Sequence, residues 1–119
     1  MQRQATVLVA VGGFLGAISR HAISTAASAP FPWGTLVVNV LGAFLLGVVV
    51  YESIEAGRLS TEVTWLLSTG FISSFTTYST FAADTVGLDP ALAAANVAAN
   101  YVLGFGAVLL ARGVVRWRL

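Results

Sequence analysis

The sequence predicts an all-α membrane protein of four transmembrane helices, the third of them broken at mid-membrane. Three observations carry this expectation. Of the 119 residues, 57% are hydrophobic and only 9% are charged, whereas a soluble domain carries about a quarter charged residues. Four successive stretches reach roughly 20 apolar residues, the length that crosses a bilayer. The third stretch, alone among them, is crowded with hydroxyl side chains. A soluble fold of this size could not hide so much apolar surface, because small domains bury the smallest share of their area. Lipid as solvent removes the conflict, and the length suits a single domain over 1–119.

The first span is expected over about 5–23, with Arg20 and His21 near its end. The second, over about 33–51, carries no charge. Between them lies Ser28-Ala29-Pro30-Phe31-Pro32, a run that breaks helices. The third is expected over about 63–83, after a polar turn from Glu52 to Glu62 that holds Gly57, Arg58 and Ser60. Gly87-Leu88-Asp89-Pro90 then leads into the fourth, over about 90–111, with Pro90 suited to a first helical position. Connectors this short make successive helices antiparallel neighbours. Arg3, an apolar stretch and Ala27-Ser28-Ala29 imitate a cleavable signal. The Ser19-Arg20-His21 interruption and the second long span directly after it favour a retained helix.

Charge narrows the function classes. All six basic residues are arginines and the formal net charge is +1, so there is no basic stripe for nucleic acid. There is no cysteine, and the single His21 has no second ligand beside it, which argues against disulfides and a transition-metal site. Four spans put both termini and the 52–62 loop on one side, with Arg3, Arg58, Arg112, Arg116 and Arg118; the other side holds only Arg20. Arginine-rich loops stay in the cytoplasm, so the termini of this multi-pass chain of the cell membrane are expected there.

Inside the spans, polar residues mark what packing alone does not need. Gly12 and Gly16 form a small-xxx-small pair, as do Ala43 and Gly47; such pairs let helix backbones approach in lipid, and a structural role suffices for most of them. Isolated Ser and Thr usually bond the preceding turn's carbonyl, which accounts for one or two hydroxyls but not for the density between Ser68 and Thr80. Thr76-Thr77 is β-branched, and neighbouring hydroxyls compete for backbone groups. A helix broken there is tolerated only inside protein or beside a wet cavity, and its freed carbonyls can hold a cation. An ion or polar-solute site is therefore expected near 73–81. Tyr78 and Phe81, at i, i+3, share a face and serve either packing or a site. Asn39 is an inter-helix bond or a pathway residue. Asn96 and Asn100, at i, i+4, read as helix-joining amides, and Arg20 as a structural residue that snorkels or pairs with carbonyls. No span carries a carboxylate near its middle, and Asp84 lies at the end of the third. A proton-coupled carrier needs such a group, so a passive conductor is favoured over a pump. No nucleophile–base pair or phosphate loop points to an enzyme.

The run GFISSFTTYSTF over 70–81 resembles the signature of the fluoride channels called Fluc or CrcB. GFLGAISR over 13–20 and GTLVVNVLG over 34–42 agree with the family in order and spacing, so the resemblance covers essentially the whole chain. It implies a fluoride-selective channel that exports cytoplasmic fluoride passively and so reduces its toxicity. It implies a dimer of oppositely oriented subunits, two pores each lined by both subunits, and a structural Na+ at the dimer centre held by the backbone carbonyls of Ser73 and Thr76. The fluoride pathway carries over as Asn39, Tyr78 and Phe81 with Thr35, Thr77 and Ser79, and Asp84 matches an acidic position at the pore mouth. Fluoride is small and strongly hydrated, so a narrow path must replace its water with amide and hydroxyl donors and with the positive edges of rings.

Three positions depart from the family pattern. Ser73 stands where Gly is usual, Tyr78 where Phe is usual, and Gly104 where the fourth helix often places a pore-facing Ser. A homodimer of opposed subunits requires insertion both ways. Five arginines against one point to a fixed orientation, so the partner is either a second copy or, as that bias favours, a paralogous chain of reverse bias. Two other classes compete with the channel. A small multidrug exporter would need a mid-membrane Glu in the first helix, which is lacking here, and a non-transporting assembly subunit would need only the glycine faces.

Overall fold

The computed structural model describes residues 2–26 and 30–118, and they are all-helical. The Ala27-Ser28-Ala29 triplet lies outside the described residues. Helix α1 is Gln2–Ala26 and α2 is Trp33–Ile54. The third helix comes in two parts: α3 over 61–75, then α4, Tyr78–Gly87. Helix α5 is Pro90–Trp117. α1, α2 and α5 are each long and apolar enough to cross a membrane. A 22-residue helix such as α2 rises about 33 Å at 1.5 Å per residue, matching a hydrocarbon layer of about 30 Å.

Helices outrun the apolar windows. α1 continues three residues beyond each end of the expected 5–23, and α5 runs to Trp117 instead of 111. Backbone hydrogen bonding does not stop where hydropathy does, and arginine stems cover the last turns while their charges reach water. Glu52, expected in a polar turn, is instead buried in the last turns of α2. Arg58 holds it through two bonds, of 2.6 and 2.9 Å, and Arg118 adds a third at 3.4 Å. The helix starts follow local chemistry. Ser60 accepts the Val63 N–H, Thr77 that of Thr80, and Asp89 that of Leu92, with Pro90 behind it.

α3 is distorted before it ends. Trp65–Ile72 is π-helical, and the Ser73 N–H reaches back five residues to the Ser68 carbonyl. Hydroxyls back-bond along it, Ser68 to Thr64 at 2.6 Å and Ser73 to Thr69, a pattern that bends helices. α1 lies along α3, and α2 along α5. Glycine sets the first contact. A Cβ on Gly12 would strike the Leu66 carbonyl oxygen, one on Gly16 that of Phe71, and one on Gly70 would lie 3.0 Å from the Gly12 Cα. Outward faces remain apolar, with Phe14, Phe105 and Leu109 all exposed in the single chain, as lipid or a partner subunit requires.

Candidate functional site

The break falls at Thr76 and Thr77, whose backbones are extended (φ −83°, ψ 160° and φ −149°, ψ 124°). An interrupted helix frees donors and acceptors that must be satisfied in lipid. The Thr77 N–H goes to Asn39 Oδ1 at 2.9 Å, and Asn39 Nδ2 returns a bond to the Thr77 carbonyl at 3.0 Å. One carboxamide thus replaces the next turn of helix on both sides of a single residue. Thr77, only 8% exposed, turns its hydroxyl to the Thr80 N–H at 3.1 Å, capping α4, and lies 3.5 Å from the Ser79 hydroxyl. α2 comes this close because of Gly42, where a Cβ would collide with Thr76 Cγ2.

Two carbonyls lose their helical partners in the process. In an unbroken helix the Thr77 N–H would reach the Ser73 oxygen and the Thr80 N–H that of Thr76; both donors are engaged by side chains instead. These are the two carbonyls assigned to Na+ from the resemblance. Ser73 has ordinary helical backbone angles (φ −63°, ψ −32°), so the position makes no demand that only glycine could meet. The half-helix ends bring opposite partial charges to the break: α3 its partly negative C-terminus, and α4 its partly positive N-terminus.

The aromatic residues line one side of the break. The rings of Tyr78 and Phe81 are 5.8 Å apart at 55°, and Phe81 meets Tyr101 of α5 edge to face, at 6.3 Å and 81°. Phe81 is 7% exposed and Tyr78 73% exposed, so one ring is built into the chain and the other is presented outward. Asn39, Tyr78, Phe81, Asn100 and Tyr101 line an open cavity of 150 Å³. Tyr101 did not emerge from the sequence reading. Its signal was an aromatic one position after the Asn96/Asn100 pair, four before Phe105, whose ring it also meets at 6.2 Å.

A chain of amides runs from the break into α5. Asn39 Nδ2 also reaches Asn100 Oδ1 at 3.3 Å. Asn100 Nδ2 bonds the Asn96 carbonyl at 2.8 Å and its side-chain oxygen at 3.0 Å. Asn96, fully buried, gives a bond to the Thr85 hydroxyl at 2.9 Å, and Thr85 gives one to the Phe81 carbonyl at 2.7 Å. These bonds join α2, α4 and α5 across their polar faces.

The remaining candidates lie toward one end. The hydroxyl of buried Thr35 donates to Asp84 Oδ2 at 2.9 Å. Thr35, Asp84, Ser24 and Thr80 border a cavity of 440 Å³. Ser24 and Thr80 also border a smaller one of 230 Å³, reached by Arg20 and Thr77. The two pockets share Ser24 and Thr80, and between them they are bordered by Asp84, Arg20 and Thr77. Gly12 and Gly16 lie apart from them, against α3. Among the described residues, no heavy atom beyond the backbone of its own helix lies within 4 Å of where a Cβ on Gly104 would be.

The sequence aligns with known proteins over nearly its whole length. A family described as "CrcB-like protein, Camphor Resistance (CrcB)" matches residues 7–112. A protein of Natronomonas pharaonis named fluoride-specific ion channel FluC 1 is 56% identical over 118 residues, 99% of each chain. A FluC 1 of Haloarcula marismortui is 54% identical over 92% of this chain and 84% of its own. A FluC 2 of Halobacterium salinarum is 46% identical over 93% of this chain and 86% of its own. With the broken helix, its amide clamp and the ring pair carried on a sequence this similar end to end, the chain belongs to the CrcB family.

Proposed function

We propose that this chain is a subunit of a fluoride-selective ion channel that lets cytoplasmic fluoride leave passively. The observation that carries the reading is 56% identity over 99% of the chain to a protein named for that activity. The chemistry of the site agrees. An anion stripped of water needs donors and positive ring edges, and the break offers an amide N–H, hydroxyls, the N-terminus of α4 and a pair of rings. Hydrogen fluoride enters from acid surroundings and ionises in the cytoplasm. The trapped anion then leaves down its gradient, helped by an inside-negative potential. The protein is a channel and no enzyme.

The pathway we assign runs from Asp84 and Thr35 past Thr77 and Ser79 to Asn39, Tyr78 and Phe81. Tyr78 presents its ring away from its own chain, which suits a pore shared with a second subunit of opposite orientation. Supporting that partner are the numbered FluC 1 and FluC 2 names among the relatives, two of each and each from a different organism. The arginine bias favours termini in the cytoplasm and a paralogous chain of reverse orientation, with a homodimer as the other arrangement. The neutral carbonyl oxygens of Ser73 and Thr76, left without helical donors, suit Na+. Bound there, it would supply a fixed positive charge between the broken helices.

The deciding experiment loads proteoliposomes with fluoride and follows release with a fluoride-selective electrode. Fast fluoride release without chloride release is expected. No release, or equal release of both ions, would refute the assignment.

A further inference from the structure

Asn39 has two N–H hydrogens. One is committed to the Thr77 carbonyl at 3.0 Å; the other points to Asn100 Oδ1 at 3.3 Å, across the 150 Å³ cavity that Tyr78, Phe81 and Tyr101 complete. The Asn39 amide cannot turn over, because its oxygen accepts the Thr77 N–H. The second hydrogen is therefore the only one this residue can offer an anion, and a side chain of the same subunit already holds it.

Asn100 is just as constrained. Both of its N–H hydrogens go to Asn96, at 2.8 and 3.0 Å, and Asn96 is itself buried and tied to Thr85. Turned over, Asn100 would set its NH2 against that of Asn39 and its oxygen against two acceptors. Its carbonyl oxygen consequently faces the cavity as an acceptor, the wrong polarity for attracting an anion.

We propose that Asn100 is a built-in competitor: its side-chain oxygen holds the Asn39 donor until an ion that is a stronger hydrogen-bond acceptor than an amide carbonyl displaces it. Fluoride is such an acceptor, and larger halides are poorer ones. The 3.3 Å separation is long for an N–H···O bond, so the holding is weak enough to be exchanged in passage. Asn96 and Thr85 act behind Asn100 as positioning residues. The inference rests on the fluoride-channel reading and on Asn39 as a donor within it.

The test measures fluoride efflux from proteoliposomes across a series of internal fluoride concentrations for the unmodified protein, Asn100→Leu and Asn100→Asp. Leucine keeps the volume and removes the acceptor. The half-saturating fluoride concentration is expected to fall about threefold to tenfold, the net worth of one neutral hydrogen bond. The aspartate variant puts a charged acceptor opposite Asn39 and is expected to raise that concentration more than about tenfold. A merely structural role would move both variants the same way. If the leucine variant does not elute as the unmodified protein does, Asn100→Ala carries the same expectation. Unchanged concentration dependence, or a loss in the leucine or alanine variant equal to that in the aspartate variant, overturns the inference. Absence of efflux from the unmodified protein would instead overturn the channel reading.

Discussion

The carboxamide of Asn39 closes on the peptide groups of Thr77, 38 residues away, taking its N–H at 2.9 Å and bonding its carbonyl at 3.0 Å. A strand neighbour would make the same two bonds. Here a side chain makes them, so the helix can open beside Thr77 without leaving that residue's own N–H and carbonyl unpaired in lipid. The opening is what brings the end of α3, the start of α4 and the ring pair into one place.

Asn39→Leu leaves both Thr77 groups unpaired, at about 1–3 kcal/mol each. Fluoride efflux is expected to fall at least about tenfold, with a lower thermal transition in detergent. Efflux and stability both at the level of the unmodified protein would show that the clamp is dispensable.

Phe81→Leu keeps an apolar side chain in a buried position, at about 1–3 kcal/mol for the atoms removed and the space they leave, but removes the ring edge. Efflux is expected to drop by about tenfold or more while gel filtration stays unchanged. Tyr78→Phe, which removes only a hydroxyl, is expected to stay within about threefold, the worth of a weak hydrogen bond. Full efflux from Phe81→Leu would remove the ring from the pathway.

Gly16→Ala sets a methyl group against the Phe71 carbonyl, which backbone movement must relieve at about 1–3 kcal/mol. Gly113 has nothing within 4 Å of such a methyl group, so Gly113→Ala is expected to be neutral or to gain up to about 1 kcal/mol of helix propensity. Thermal unfolding in detergent should separate the two; equal transitions would mean that α1 and α3 are not in contact at Gly16.

Tags at each terminus report orientation. With Arg58, Arg112, Arg116 and Arg118 gathered on one side, the chain expressed alone is expected to keep both termini in the cytoplasm. Finding it in both orientations would defeat the heterodimer and leave the homodimer.

Much of the fold was legible because a bilayer asks simple questions of a sequence. Apolar length placed the spans, Pro90 and Asp89 marked the start of α5, and the hydroxyl run marked where the third helix would open. Span ends were less legible: α1 and α5 extend past their apolar windows, and Glu52 is drawn into α2 by Arg58 and Arg118, six and 66 residues away. In the site, the Asn96/Asn100 pair reads as helix-joining in both sequence and structure, but Tyr101 carried only a faint signal. A tyrosine on an apolar helix announces nothing until Phe81 stands opposite.

By itself, the sequence determined the number of helices, the site of the break and the end of the bundle where most arginines gather. These are local properties: each depends on how a short stretch partitions between water and lipid, or on whether it can satisfy its own backbone. Only the tertiary structure decided which donor meets which acceptor. Asn39 finds Thr77 and Asn100, and Thr35 finds Asp84 across 49 residues, where Gly42 lets α2 approach Thr76 and Gly47 lets it approach Ala111 of α5. A hydrogen bond falls away within an ångström of its best distance, and that distance is set by packing between helices that no single helix contains.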